Sequence, residues 1–270
     1  MFRTSLTGVT TLAAACLVAA VGCSDSDSPD SNAGRHFGPS EAIGQGTARA
    51  FVDTDGAGTP TSLGISMTES ALSGLPSATK PPDPAAAMLT LTLPPEAEAT
   101  GFDHAEVQWN PQGHPPEQIY GLPHFDFHFY LVSRADEQAI LPTDPQYAAK
   151  AANFPPADFV PAGYAPPPGS PAANAVPQMG LHWIDTKAPE FNGQQFTKTF
   201  IYGSWNGRFI FIEPMVTKAY LETHPNATQS VAQPTSWAIP AYYPTTYTVK
   251  YDASTKEYQI VLGDLTMRTS

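Results

Sequence analysis

An eight-residue stretch, PHFDFHFY over 123–130, constrains the fold of this chain more than any other segment. Within it, His124, Asp126 and His128 alternate strictly with phenylalanines. A period of two is typical of a β-strand with one apolar and one polar face, whereas a helix would scatter these residues around its circumference. We therefore predict a strand that packs a ladder of phenylalanine rings into the core. Its other face presents imidazole, carboxylate and imidazole groups.

The polar face of this predicted strand is uncommon, because all three of its groups can coordinate a divalent metal ion. Along a strand, residues i and i+2 lie about 6.6 Å apart and residues i and i+4 about 13 Å apart. A pair at i and i+2 can share one ion, whereas joint binding by His124 and His128 needs a bend, which Pro123 would favour. Further ligands must come from elsewhere in the chain. A polar face with a purely structural role is the alternative interpretation.

Two later segments each carry one more candidate ligand. The segment MGLHWID (179–185) has strand character and contains His182. In FIFIEP (209–214), Glu213 closes an otherwise apolar strand and shares the parity of the phenylalanines, which predicts that it lies on a core face. A buried carboxylate is costly unless it is paired or bound to a metal.

The metal hypothesis assigns five candidate ligands: His124, Asp126, His128, His182 and Glu213. Two histidines and one carboxylate, His128, His182 and Glu213, are expected to converge on one ion, with His124 or Asp126 completing or supporting the set. Zn²⁺ is the expected ion, with Fe²⁺ or Mn²⁺ as alternatives. His114, in a loop fixed by prolines, and Tyr130 are candidates to orient the ligands from outside.

The first 23 residues are predicted to be a signal peptide, with Arg3 before an apolar run over 6–22. The following AVGC (20–23) is similar to the lipobox of bacterial lipoproteins, in which Cys23 would be acylated; ordinary signal cleavage is the alternative. A polar tether is expected over 24–40 and a single domain over 41–270. These features predict export to the bacterial cell envelope and a lipid anchor in the membrane.

Charge and cysteine content narrow the class of protein further. The chain has 13 Lys and Arg against 25 Asp and Glu, a formal net charge of −12, which argues against nucleic acid as a partner. Both cysteines, Cys16 and Cys23, lie in the predicted leader, so the mature domain has no disulfide. A large core, a metal or a partner must stabilise it instead.

The order of predicted elements indicates a mainly β fold. About ten strands and two or three short helices are expected, without alternation of strand and helix, which predicts an antiparallel barrel or sandwich. Asn206-Gly207 between two apolar runs indicates a hairpin. The proline-rich segment 154–178 is expected to form a semi-rigid cover over the site.

Several motifs together resemble a family of uncharacterised bacterial exported proteins and lipoproteins, a domain of unknown function. These are WNPQGH (109–114), PHFDFHFY (123–130), MGLHW (179–183) and the segments FIYG (200–203) and FIEP (211–214). The resemblance spans about residues 46–251 and implies no particular activity. The arrangement is also similar to cupins and other small barrels that hold a metal through strand histidines and a glutamate, although the spacing here is His-x-x-x-His.

Three functional hypotheses follow. The first is an envelope lipoprotein that binds a divalent metal, with unknown activity. The second is a metal-dependent envelope enzyme of hydrolase, isomerase or oxygenase type that acts on a small molecule. The third is a metal-free module that binds a small ligand or assembles into homo-oligomers, for which the many aromatic residues could line a pocket or an interface.

Overall fold

The structure is a computed structural model that describes residues 1–2, 33–78 and 88–269. The predicted signal peptide with Cys23 and most of the predicted tether lie outside the described residues. A compact unit spans Ser31–Ser270.

The elements of the described part of this unit are short. Its strands are β1 (Gly34–Phe37), β2 (Glu41–Ile43), β3 (Gly46–Thr54), β4 (Pro60–Thr68), β5 (Met88–Thr92), β6 (His104–Asn110), β7 (His124–Tyr130), β8 (Tyr164–Ala165), β9 (Leu181–Asp185), β10 (Lys198–Trp205), β11 (Arg208–Thr217), β12 (Asn226–Ser230), β13 (Ala241–Tyr243), β14 (Thr246–Asp252), β15 (Glu257–Gly263) and β16 (Thr266–Arg268). The α-helices are α1 (Glu117–Tyr120), α2 (Arg134–Gln138), α3 (Tyr147–Ala152), α4 (Pro171–Asn174) and α5 (Lys218–Leu221). Single 3₁₀ helices span Glu69–Leu72, Pro95–Thr100, Ala157–Phe159 and Pro189–Asn192.

Most strands belong to two seven-stranded antiparallel sheets. The first sheet has the order β1-β3-β4-β15-β14-β12, with β2 also paired to β3, and the second has the order β5-β6-β7-β11-β10-β9-β8. The remaining pair, β13 and β16, forms a small ribbon. The described strands confirm the predicted mainly β, antiparallel fold in its sandwich form, because neither large sheet closes into a barrel.

The main core lies between the two large sheets. From the second sheet it receives Phe125, Phe127 and Phe129, which are all fully buried. Facing residues of the first sheet include Ile65 and Ile260. The phenylalanines therefore fill the inter-sheet space as the alternating pattern predicts, and the intervening polar residues of β7 point to the opposite face of the second sheet.

Two local features differ from the sequence expectations. The predicted tether extends to residue 40, whereas residues 34–37 form β1 at the edge of the first sheet. The last strand of the Asn-Gly hairpin is predicted to end at Glu213, whereas β11 continues through Pro214 to Thr217. Pro214 has no N–H to donate to the ladder. The residues before and after it, Glu213 and Met215, nevertheless pair with β10.

An ion pair joins the edge strand β1 to β3, and it leads to a first testable prediction. Nε and Nη2 of Arg35 donate to the two carboxylate oxygens of Asp53 at 2.7 Å each, and Ser62 Oγ donates to Asp53 at 2.5 Å. Burial raises the pKa of Asp53, but these hydrogen bonds outweigh burial and hold the pKa below its ordinary value of 3.8.

Asp53→Asn is expected to lower the free energy of unfolding by about 1–2 kcal/mol at neutral pH, because a hydrogen-bonded charge is lost. The folded-state pKa is depressed, so the carboxylate stabilises the protein above the unfolded-state pKa, and this stabilisation disappears as the pH falls through the folded-state value. The difference in free energy of unfolding between wild type and Asp53→Asn, measured by urea unfolding, should therefore be smaller near pH 3 than at pH 7. Glu41→Gln, at an exposed position of β2, is the control and should differ little from wild type at either pH.

Candidate metal centre

The outer face of the second sheet, which we define as the face turned away from the first sheet, carries a row of buried polar side chains. The register of β6 and β7 places polar residues of the two strands opposite each other, as His104–Tyr130, Glu106–His128, Gln108–Asp126 and Asn110–His124. Each of these residues is at most 5% exposed. So many buried polar groups need partners, because an unpaired buried polar atom is costly.

Two apolar clusters cover parts of this outer face. In one, Ile140, Tyr147 and Met179 pack with Tyr130 and Phe211. The other consists of Tyr120, Phe196, Ile201 and Met215. Segments before and after β7 in the chain thus fold over the polar row. Val176, at the end of the proline-rich segment, packs against the first cluster.

Strand pairing places His128, His182 and Glu213 together on the outer face. β11 lies between β7 and β10, and the register on either side of Glu213 (Ile212 with Phe129, Met215 with Asp126) sets Glu213 opposite His128. His182 belongs to β9, which pairs with the other side of β10. We call these three residues the triad.

The triad has a geometry that hydrogen bonding does not explain. Glu213 Oε2 lies 3.5 Å from Nε2 of His128 and 3.5 Å from Nε2 of His182. Both ring nitrogens of His128 and the Oε2 atom of Glu213 are buried and have no hydrogen-bond partner. A charge-assisted N–H···O bond would be about 2.7–2.9 Å long. These separations are therefore longer than charge-assisted hydrogen bonds between the same groups would be.

A divalent ion would fit the spacing of these atoms. Two ligand atoms bonded to one tetrahedral ion at about 2.1 Å lie about 3.4 Å from each other. The two separations of 3.5 Å within the triad agree with this value. All three ligand atoms lie within 4.8 Å of one another.

Burial also sets the protonation of the triad. Desolvation lowers the pKa of His128 to about 4 and that of His182 to about 3, so both imidazoles are neutral at pH 7, which is the form that binds metals. Desolvation, with the charge of Asp126, raises the pKa of Glu213 well above its ordinary value. A cation beside Glu213 would oppose this shift, because a nearby positive charge favours the ionised carboxylate.

A glycine in β10 makes room for the aromatic ring that packs against the triad. Gly203 of β10 lies opposite His182 on one side and Phe211 on the other. A Cβ atom at this position would come within 2.0 Å of the Phe211 ring. The ring thus lies directly over the backbone and packs edge-on against both triad histidines, with centroids 4.9 Å from His128 and 5.4 Å from His182.

The structure places His124 and Asp126 in a neighbouring group with His114 rather than in the triad. His124 Nε2 lies 3.1 Å from Asp126 Oδ1, and His114 Nε2 lies 3.5 Å from Asp126 Oδ2. Burial lowers the pKa of His114, but Asp126 outweighs burial and raises it overall. Burial raises the pKa of Asp126, but the two histidines bring it well below its ordinary value.

A third group, His104, Glu106 and Glu137, was not predicted. His104 Nε2 is 3.0 Å from Glu137, and the Arg134 guanidinium binds both carboxylates. Burial, followed by the charge of Glu137, raises the pKa of Glu106 to about 7 despite Arg134. Because a side-chain cation already occupies this group, it is a poor candidate for a metal. The alternation of polar residues along β6 could have indicated His104 and Glu106. No sequence pattern indicated Glu137.

Tyr130, predicted to orient the ligands, lies between this third group and the triad. Its ring stacks on His104 with centroids 4.7 Å apart and on His128 with centroids 5.8 Å apart. The hydroxyl oxygen has no hydrogen-bond partner, and burial raises its pKa well above the ordinary value. The contact of Tyr130 with the triad is therefore one of ring packing.

A separate apolar cavity lies on the other side of the second sheet. Its lining includes Tyr202, Phe209, Trp237 and Tyr243, and its volume is about 60 Å³. Sites for drug-sized ligands usually measure about 300–1,000 Å³. This cavity is therefore smaller than such sites.

Comparison with known proteins gives a limited result. A model of the TTHB210-like family, described as hypothetical protein TTHB210, matches residues 55–109. The chain is thus similar to an uncharacterised family over about a fifth of its length, a segment that includes His104 and Glu106 but none of the triad. No curated relative and no solved structure matches the chain. Among the described residues, no helix is long and apolar enough to cross a membrane.

Proposed function

We propose that this protein is an exported lipoprotein whose domain binds one divalent ion through His128, His182 and Glu213. The observation that carries the proposal is the convergence of three ligand atoms from three different strands, with Glu213 Oε2 3.5 Å from each histidine nitrogen. Of these atoms, His128 Nε2 and Glu213 Oε2 are buried without a hydrogen-bond partner. Two imidazoles and one carboxylate suit Zn²⁺, and the same set suits Fe²⁺.

A metal-dependent enzyme is the second candidate, favoured by the number of ligands. Three protein ligands leave a position at a tetrahedral zinc ion for water or substrate, as in catalytic rather than structural zinc sites. The side chain of His182 is 19% exposed, whereas those of His128 and Glu213 are at most 1% exposed. A small molecule would therefore approach the ion from the His182 side.

The metal content of the purified protein tests the proposal. Wild type, His182→Ala and Glu213→Gln should be produced without a metal-affinity tag, dialysed against Zn²⁺ and analysed for bound zinc. Each triad variant is expected to hold one zinc ion fewer per chain than wild type, because three ligands are needed for tight binding. The control is His224→Ala, which removes a histidine whose side chain is 48% exposed and should leave the zinc content unchanged. Equal zinc in wild type and both triad variants would falsify this site.

The proposed anchor rests on the AVGC segment and can be tested separately. Cys23→Ala removes the thiol that would be acylated and should move the protein from the membrane fraction to the soluble fraction. Cell fractionation followed by mass spectrometry of the mature N terminus measures this. Unchanged membrane association, or a mature chain that begins elsewhere, contradicts the lipoprotein assignment without affecting the metal site.

A further inference from the structure

Beside the triad, the residues His114, His124 and Asp126 form a second group, which we call the histidine–aspartate group. His124 and Asp126 lie on β7, and His114 lies in the loop between β6 and α1. The loop is held in place because His114 N donates to Tyr120 O at 3.2 Å and Gly113 N donates to Asn110 O at 3.2 Å. His114 is thereby fixed beside β7 with its ring 4.7 Å from that of His124.

The hydrogen bonds of the two histidines define which nitrogen carries the proton. Nδ1 of His124 lies 2.6 Å from the carbonyl oxygen of Leu122, and Nδ1 of His114 lies 2.9 Å from that of Pro115. A carbonyl oxygen only accepts, so each Nδ1 carries hydrogen and donates. In the neutral rings, both Nε2 atoms then present lone pairs, and both face the carboxylate of Asp126.

A lone pair that faces a carboxylate oxygen needs a positive charge between the two atoms. A proton on each Nε2 is one solution, but it should give charge-assisted hydrogen bonds of about 2.7–2.9 Å. The observed separations are 3.1 and 3.5 Å, and His124 Nε2 and Asp126 Oδ1 are both buried without a hydrogen-bond partner. The separation of 3.5 Å agrees with the value of about 3.4 Å expected for two ligands of one tetrahedral ion, and the separation of 3.1 Å lies between the two expected values.

The surroundings of the group resemble those of metal ligands in general. Ligating histidines commonly donate their other N–H to a backbone carbonyl, and ligating carboxylates are themselves hydrogen-bonded. Both histidines make such a bond, and Asn110 Nδ2 donates to Asp126 Oδ2 at 2.7 Å. The side chains of His124 and Asp126 are at most 3% exposed, whereas that of His114 is 33% exposed, which leaves a route for an ion from solvent.

We infer that His114, His124 and Asp126 form a second binding site for a divalent cation of the zinc type, distinct from the triad. The site shares no ligand with the triad. Asp126 and His128 lie two residues apart on one face of β7, a distance of about 6.6 Å along a strand. The outer face of the second sheet therefore holds two cation sites side by side.

Counting the bound ions tests this inference. Equilibrium dialysis against Zn²⁺, with metal analysis and with Co²⁺ as a spectroscopic probe, should give two ions per chain in wild type. His114→Ala and Asp126→Asn should each give one, and the two together with Glu213→Gln none. His114 is the preferred position, because its partly exposed loop side chain can be removed with little risk to folding. Circular dichroism of each variant checks the fold, and His224→Ala is again the control for surface histidines.

The remaining outcomes separate this site from the triad. If wild type binds one ion that Glu213→Gln loses and His114→Ala keeps, the second site is refuted and the triad stands. If wild type binds one ion that His114→Ala loses and Glu213→Gln keeps, the second site stands and the triad is refuted. If wild type binds no zinc, or if His114→Ala and Asp126→Asn both keep two ions, the inference is overturned.

Discussion

Glu213→Gln is expected to abolish the stabilisation that zinc provides through the triad while changing the zinc-free stability by less than about 1 kcal/mol. Burial raises the pKa of Glu213 well above its ordinary value, which favours a neutral carboxyl group in the zinc-free protein, and a glutamine side chain closely matches that group in shape. An amide is a much weaker ligand than a carboxylate. At zinc concentrations 100-fold above Kd, the ion should stabilise the intact site by about 2.7 kcal/mol.

Urea unfolding in EDTA and in excess zinc measures both halves of this prediction. To isolate the triad from the histidine–aspartate group, the reference protein and the variant should both carry His114→Ala. A simple hydrogen-bonded cluster of two histidines and a carboxyl group predicts a different pattern. In that case, Glu213→Gln would cost the same free energy with and without zinc, and zinc would stabilise neither protein.

Phe127→Ala is expected to lower the free energy of unfolding by about 3–5 kcal/mol, because it removes a large ring and leaves a cavity between the sheets. Phe127 is fully buried on the middle of β7, which is itself paired on both sides. The matched control is Phe154→Ala, which removes the same ring from a position that is 41% exposed and should cost less than about 1 kcal/mol.

Chemical denaturation, with the slope of the transition compared between variants, measures this effect. An unchanged slope with a lower midpoint identifies a loss of stability rather than a change in compactness. A cost for Phe127→Ala no larger than that for Phe154→Ala would mean that the phenylalanine ladder does not form the inter-sheet core.

The strand pattern of the chain was readable because local residues carry it. Alternation over 123–130 predicts β7 and its two faces, and Asn206-Gly207 predicts the turn between β10 and β11. The order of strands was not predictable in the same way. That β7 lies between β6 and β11 depends on contacts distant in sequence, to which no local pattern refers.

The same distinction applies to the candidate sites. His128, His182 and Glu213 could be grouped in advance because each carries a group that is costly to bury alone on its own strand. The sequence did not show that His124 and Asp126 belong to a different group, because that grouping depends on where the loop with His114 packs against β7. Glu137 was missed because a carboxylate on a short helix is ordinary until the fold places it against His104.

The position of the triad within its sheet bears on how fast any ion held there can exchange. His128 and Glu213 belong to β7 and β11, which have hydrogen-bonded neighbours on both sides, whereas His182 belongs to β9, whose outer neighbour is the two-residue strand β8. Opening of β8 and β9 needs few broken hydrogen bonds, and such edges open at a far lower free energy than the centre of a sheet. Two of the three proposed ligands thus lie in the middle of the sheet and the third lies near its edge, so an ion bound there would be released by local opening of that edge rather than by global unfolding.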